Sequence, residues 1–265
     1  KKVQCFFLGF VLGYRIIWWG VEGTASVWKK LVKCFLIRDS DIKLFYSNGK
    51  LEEWIANGRI RKNCTVLNNT VKVLKTRSYS IGVKEPYLIS VGSLNPRKKF
   101  PVIFKTISDL KKAGKPVKLV IVGSGSEYAS LVNLAADLVI SDLVEFVGVC
   151  HSKEKLALYY QSALATVAWG QIGLTLQQSL GHGVPVIIGE KSISGGESEA
   201  LVHGYNGFIA SEEKDLFFWI SWMLDNPAIL PGLRVGALRT YREGFAFESM
   251  VAKMLEAIEL VDNDR

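Results

Sequence analysis

Cysteine is scarce in this chain of 265 residues, and the four present (Cys5, Cys34, Cys64 and Cys150) form no C-x-x-C pair. Nor do they stand at metal-ligand spacing from the three histidines, His151, His182 and His203. That argues against a disulfide framework and a structural zinc site, and it reads as isolated thiols in a reducing compartment. Long apolar runs are also missing. The stretch Cys5–Tyr14 is broken by Arg15 after ten residues, too short to cross a bilayer. It lacks a small-residue cleavage site, so it reads as a strand and its exit turn rather than a signal peptide. A dinucleotide fingerprint is absent too, because Val122–Glu127 (VGSGSE) has G-x-G without the third glycine or a clean acid about 20 residues on.

What is present is an ordinary globular composition, 49% hydrophobic and 22% charged, long enough for one large or two modest domains. Charge is unevenly spread. Residues 1–82 hold 15 Lys and Arg against 5 Asp and Glu, a net +10, whereas the remainder sums to −2. A lysine-rich solvated face and a surface attracted to anionic membrane both fit this asymmetry. Nucleic acid is not expected, since no compact basic run is interleaved with aromatics.

Hydrophobic patterning organises the chain in order. Lys2–Leu12 and Tyr14–Trp18 read as strands, Trp18–Gly23 as the turn after them, and Ala25–Leu36 as a helix. Ile42–Tyr46 reads as a strand, with Ser47 a plausible N-cap for the helix through Leu51, Trp54 and Ile55. Asn57-Gly58 stops it, Cys64–Leu67 is a strand, and residues 72–85 read as a linker. From Tyr87 onwards strands and helices alternate. Tyr87–Val91, Val117–Val122, Val144–Val147 and Ala165–Ala168 are strands, with helices at Phe100–Ala113, from Tyr128 to Leu138, and at Lys153–Ala163. Alternation with short turns predicts a parallel doubly wound sheet. Gly195–Ala210 reads as a glycine-framed loop, Glu212–Leu224 as an aromatic-rich helix and Glu248–Val261 as an amphipathic terminal helix.

The stretch Trp169–Ile188 (WGQIGLTLQQSLGHGVPVII) is the centre of this arrangement: a turn with Gly170 and Gly173, a short helix from Thr175 to Leu180, and a buried strand. A loop opening into a helix presents unpaired N–H groups and the positive end of the helix dipole, which suits a phosphate. Two further turns fit the same ligand: Gly92–Lys99, where Arg97, Lys98 and Lys99 precede a helix, and Val122–Glu127 with Gly123 and Gly125.

These residues resemble the donor segment of family 4 glycosyltransferases, which commonly reads E-G-F-G-L-x-x-x-E-A-x-x-x-G-x-P-V-I. Gly173-Leu174 and Gly183-Val184-Pro185-Val186-Ile187 match it, while Gly170 and Gln178 replace the two acids. Gln178 can still bond a ribose hydroxyl through its amide. A subset of the family is similar in carrying P-G-x-x-G-L-T at the acidic turn. The family's V-G-R-L-x-x-x-K-G places Lys98 at the phosphate-contacting lysine, with Ser93 in place of the arginine, and its V-G-x-G-x-E matches Val122–Glu127. Gly195–Ala210 resembles the stretch that follows, with Glu197 or Glu199 at the acid and Gly204 and Gly207 in place. The resemblance reaches Asp41, Leu44, Tyr46, Ser47, Gly49, Gly58, Asn68 and Asn69, and places Val21 where relatives have a histidine.

The resemblance implies an α/β fold of the GT-B type, two Rossmann-like lobes facing a cleft. The lobes would be residues 1–82 (acceptor side, apparently incomplete) and 83–236 (nucleotide-sugar side), with 237–265 returning to the first. It implies a retaining, metal-independent glycosyltransferase with no cofactor, acting on a nucleotide-sugar donor and a saccharide or lipid-linked acceptor. Capsule or O-antigen assembly, in the cytoplasm or on the inner face of the plasma membrane, is the expected setting. The implied donor and phosphate contacts are Gly92, Ser93, Arg97, Lys98, Gly123, Gly125, Gln171, Ile172, Gly173, Leu174, Thr175, Gln178 and Glu197, with no catalytic side chain assigned. The missing acids leave open a non-catalytic binding or scaffold protein, and a GT-B sugar-nucleotide epimerase is a more remote alternative.

Overall fold

The computed structural model describes residues 17–20, 40–58, 63–74 and 86–263. The chain divides into two compact units. One comprises Lys1–Thr70, Gly195–Glu199 and Phe247–Arg265; the other comprises Val71–Ser194 and Ala200–Ala246.

The first unit is built on a parallel sheet of β1 (Ile17–Gly20), β2 (Ile42–Phe45) and β3 (Cys64–Val66), in that order. Every residue of β2 is buried, as expected of a central parallel strand covered on both faces. On one side Phe45 and Trp54, the latter from α1 (Asn48–Ala56), pack with Trp18 at ring separations of 5.3 and 6.4 Å. On the other, Ile42, Leu44 and Leu67 meet Phe247, Met250, Met254 and Ala257 of the terminal helix Phe247–Asn263. Trp18, Trp19 and Gly20 pair with Lys43, Leu44 and Phe45, so the expected turn from Trp18 starts later than the sequence suggests. Aromatic side chains fit a packed strand, and the glycine only closes it. The strand expected at Lys2–Leu12, the helix at Ala25–Leu36, Val21 and most of the 72–85 linker lie outside the described residues.

The helix start after Ser47 also differs from expectation. Ser47 has the extended backbone of an N-cap, but its side chain makes no capping bond. The Glu199 carboxylate takes that role, accepting from the Asn48 and Gly49 amides at 3.0 and 3.1 Å. A carboxylate is a better partner for the positive helix end than a hydroxyl, and an acceptor 151 positions away is invisible to a local pattern.

The second unit holds a six-stranded, all-parallel sheet in the order β6-β5-β4-β7-β8-β9. Its strands are β4 (Tyr87–Val91), β5 (Lys118–Val122), β6 (Val144–Gly148), β7 (Ala163–Ala168), β8 (Val186–Gly189) and β9 (Gly207–Ala210). Helices α2 (Phe100–Lys112), α3 (Tyr128–Asp137), α4 (Lys153–Gln161), α5 (Thr175–Gly181), α6 (Glu213–Asp225) and α7 (Leu230–Thr240) complete it. Helix α2 turns Phe100, Ile103, Phe104, Ile107 and Leu110 into the core, the i, i+3, i+4, i+7 stripe of an amphipathic helix. The central strand β7 (ALATVA) is buried at all six positions.

Strand β9 lies inside the stretch expected to be loop. Three apolar residues after a glycine are too few for a confident period, and pairing with β8 decides the matter. Asn206 anchors the preceding turn: it is fully buried, accepts from the Val202 amide and donates to the Ala200 carbonyl and Thr240 hydroxyl. Among the described residues, no helix is long and apolar enough to cross a membrane.

Candidate functional site

The strand order of the second unit sets where a ligand is held. The chain winds outward from β4 to β5 and β6, then returns to the other side of β4 as β7, β8 and β9. The connections leaving β4 and β7 therefore run in opposite directions along the sheet, and the crevice beyond the carboxyl ends of the strands at such a switch point is the usual binding place in open α/β sheets. The loops after β4, β5 and β7 are also the three glycine-containing turns that the sequence singled out.

Beyond Val91, the β4 loop bends at Gly92, whose φ of +127° lies in the region that favours glycine. Leu94 is fully buried and pins the loop. Asn95 caps a single turn at Pro96–Lys98, accepting from the Arg97 amide at 3.0 Å and donating to Ser93 Oγ at 2.8 Å. This cap was missed at the sequence level, although an Asn-Pro step after a strand is a turn signal. Ser93 and Arg97 are left exposed, whereas Lys98 is turned inward and only 7% exposed. Its Nζ donates to the Val91 carbonyl at 3.1 Å, and the Thr175 hydroxyl donates to the same oxygen at 3.3 Å. Burial lowers the Lys98 pKa from 10.5 to about 8. Among the described residues it has no carboxylate partner, so its charge is desolvated without compensation.

The β5 loop lies against the β4 loop. A Cβ at Gly123 would sit 1.9 Å from the Gly92 carbonyl oxygen, and one at Gly125 would sit 2.2 Å from that of Leu94. The backbones are joined by Leu94 N–H to Ser124 O at 2.9 Å and Glu127 N–H to Leu94 O at 3.1 Å. Gly123 and Gly125 thus permit a close loop–loop contact, a structural demand independent of any ligand.

The β7 loop closes on the β4 loop from the other side. Gly170 leaves only 2.0 Å between its would-be Cβ and the Arg97 carbonyl oxygen, and the Gln171 amide donates to that oxygen at 2.8 Å. The position of the family's first acid therefore has no room for any side chain in this backbone. Ile172 is buried, and its amide donates to Ile193 O at 3.2 Å. The amides of Gln171 and Ile172, two of the expected contacts, are therefore already bonded within the protein. The pairing of Gln171 with Ile193 consumes donors that a loop–helix pattern counts as unpaired. The amides of Gly173, Leu174 and Thr175 have no protein partner among the described residues. Gly173 has φ of +56°, and Leu174 is exposed. On α5, Gln177 is fully buried while Gln178 is half-buried.

Beneath the loops lies a polar seam. Thr166 on β7 and Ser179 on α5 share a 2.7 Å hydrogen bond and are both buried. His182, at the end of α5, is 2% exposed and stacks on Tyr160 with ring centroids 5.0 Å apart. Burial lowers its pKa from 6.5 to about 4, so it is neutral at physiological pH.

Of the thirteen expected contacts, twelve are in the second unit. Glu197 belongs to the first. It is 8% exposed and accepts from Asn69 Nδ2 at 3.2 Å and from the Gly195 amide. Burial, aided by the Glu197 charge, raises the pKa of Tyr46.

Comparison with known proteins gives a consistent result. The model of the family described as glycosyl transferases group 1 matches residues 74–230. An uncharacterized glycosyltransferase of Haemophilus influenzae is 27% identical over 54% of this chain and 40% of its own length. The alpha-monoglucosyldiacylglycerol synthase of Streptococcus pneumoniae is 32% identical over 43% of this chain and 27% of its own. The chain thus aligns with less than half of each of these curated relatives. Among solved structures, Anabaena Alr3699/HepE in complex with UDP superposes with a TM-score of 0.79 at 16% identity, covering 97% of this chain and 75% of that one. Sucrose-phosphate synthase from Thermosynechococcus elongatus gives 0.78 at 16%, covering 99% and 73%. The sequence match spans more than half of the chain and coincides with the unit that holds the three converging loops: the chain belongs to the glycosyl transferases group 1 family and has the GT-B fold.

Proposed function

We propose that this chain is a retaining glycosyltransferase of family 4, which moves a sugar from a nucleotide-sugar to a saccharide or lipid-linked acceptor. The observation that carries the reading is Lys98: a buried ammonium without a carboxylate partner among the described residues, set where the loops after β4, β5 and β7 meet. A donor diphosphate supplies the missing counter-charge. Lys98, with the amides of Gly173, Leu174 and Thr175, then stabilises the negative charge that develops on the leaving diphosphate as the glycosidic bond breaks. Arg97 flanks Lys98 and compensates for Ser93, and Gln178 offers its amide to the ribose. Gly92, Gly123 and Gly125 shape the crevice for the nucleotide. Glu197 is the candidate acid for the donor sugar. The solved neighbours in complex with UDP and with UDP-glucose support a nucleotide-sugar donor.

The acceptor side is residues 1–82, whose net charge of +10 suits a lipid-linked pyrophosphate sugar at the inner leaflet of the plasma membrane, in cell-surface polysaccharide assembly. No divalent metal or other cofactor is required in this reading. The test is a thermal-shift panel of UDP, GDP and ADP and their glucose conjugates, with and without EDTA. It is followed by an assay for release of nucleoside diphosphate with acceptor present. A metal-independent shift with one base, and turnover, is expected. A second reading has a specific observation in its favour: Gly170 cannot carry an acid and Gln178 does not, so a binding or scaffold protein without turnover keeps the nucleotide shift and loses the release of diphosphate. Absence of any shift would sink both.

A further inference from the structure

We propose that nucleotide binding at the Lys98 crevice is coupled to uptake of one proton from solvent by Lys98 Nζ, so that the site binds its diphosphate more weakly as the pH rises. The inference rests on the donor-site reading above and adds a regulation to it.

The geometry that supports it is the surroundings of Nζ. The Lys98 side chain is buried, and its partner is a neutral carbonyl, Val91 O at 3.1 Å. That oxygen already has a second donor in the Thr175 hydroxyl at 3.3 Å, so it needs nothing from the amine. A Cβ at Gly92 would be 2.9 Å from Nζ, which shows how tightly the loop wraps the amine. The charged groups nearby do not compensate it. Strand β4 contributes only the Val91 carbonyl, while the β7 loop from Gly170 to Leu174 and helix α5 contain no charged residue. The β4 loop adds Arg97 and Lys99, both exposed and both of the same sign. The β5 loop adds Glu127, which lines a recess with Lys99 and Phe100 and makes no ion pair with Lys98 among the described residues.

An ammonium in this setting is destabilised by lost hydration alone, which leaves a large part of the Lys98 population as neutral amine above pH about 8. A bound diphosphate reverses the balance, because an anion within hydrogen-bond distance favours the charged form. The coupled step is amine plus a solvent proton plus nucleotide giving ammonium–diphosphate, with no other bond made or broken. The nucleotide's own phosphates are fully ionised at pH 9 and donate nothing.

The experiment is calorimetric titration of the protein with whichever of UDP, GDP or ADP gives the thermal shift, at pH 7 and pH 9, in two buffers of different ionisation enthalpy. With a free amine near pH 8, linkage gives uptake of about 0.8–0.9 proton per nucleotide at pH 9 and little at pH 7, and an affinity falling close to tenfold per pH unit above 8. Lys98→Arg, charged at every pH used, binds with no uptake and no fall above pH 8. Lys98→Met binds weakly and also without uptake. Binding of nucleotide to the unmutated protein at pH 9 with less than about 0.2 proton taken up overturns the coupling and leaves the donor-site reading standing. Equal uptake in Lys98→Met moves the proton to another group and also overturns it. No binding of any of the three at pH 7 overturns the donor site itself, and the coupling with it.

Discussion

Replacing Lys98 with methionine should stabilise the free protein while damaging its ligand binding. The burial that lowers the pKa from 10.5 to about 8 corresponds to about 3 kcal/mol of unfavourable free energy in the charged form, at about 1.4 kcal/mol per pH unit. At pH 7 the folded amine is mostly protonated, so nearly all of that cost is present. Methionine has a similar reach and no charge. It forfeits the hydrogen bond to Val91 O, about 1 kcal/mol, but the carbonyl keeps the Thr175 hydroxyl and is not orphaned. The net expectation is a gain of roughly 1–2 kcal/mol at pH 7, read as a higher midpoint in urea denaturation. The sign also depends on pH. Between about 8 and 10.5 the unfolded chain binds the Lys98 proton more tightly than the folded one, so the unmutated protein gains stability with rising pH and the gap to Lys98→Met closes. In the same variant nucleotide affinity drops well over tenfold, the loss of a charge-assisted hydrogen bond. A Lys98→Met protein that is less stable at pH 7, with nucleotide affinity unchanged, would refute both the desolvation argument and the role of Lys98.

Other residues give independent checks. Gly170→Glu, which restores the acid that the family pattern carries, is expected to lower stability by more than about 2 kcal/mol and not to raise turnover, because its Cβ would meet the Arg97 carbonyl at 2.0 Å; a variant with an unchanged melting temperature contradicts this. Gly125→Ala forces the β5 loop off Leu94 O and should abolish the nucleotide thermal shift even where the fold survives by circular dichroism. His182, with its pKa lowered to about 4, is protonated more readily in the unfolded chain. Stability should therefore fall by about 3 kcal/mol as pH drops from 6.5 to 4, and His182→Phe should remove that slope in acid-denaturation curves. Glu199→Gln weakens the cap on α1 and should cost about 1 kcal/mol in chemical denaturation, without altering nucleotide affinity.

Much of the second unit was legible because its signals are local. The alternating apolar runs from Tyr87 to Ile188 specify parallel strands and their helices, since a buried strand must be apolar on both faces. The glycine turns after β4, β5 and β7 mark the ligand side of such a sheet from the sequence alone. The identities of Lys98, Gly173 and Thr175 were likewise enough to nominate a phosphate site. Other features depend on partners far away in the chain. Strand β9 exists because β8 pairs with it, and Trp18 and Trp19 extend rather than turn because β2 lies beside them. Glu199, not Ser47, caps α1 across 151 positions. The Gln171 and Ile172 amides are spent on Arg97 and Ile193. Gly170 reads as a lost acid in sequence and as an enforced glycine in space, because the carbonyl of another loop occupies the volume a side chain would need. Composition and period determine which segments are strands, helices and tight turns. Only tertiary packing decides which polar groups remain unpaired, because hydrogen-bond partners and desolvation are set by neighbours that the linear order does not reveal.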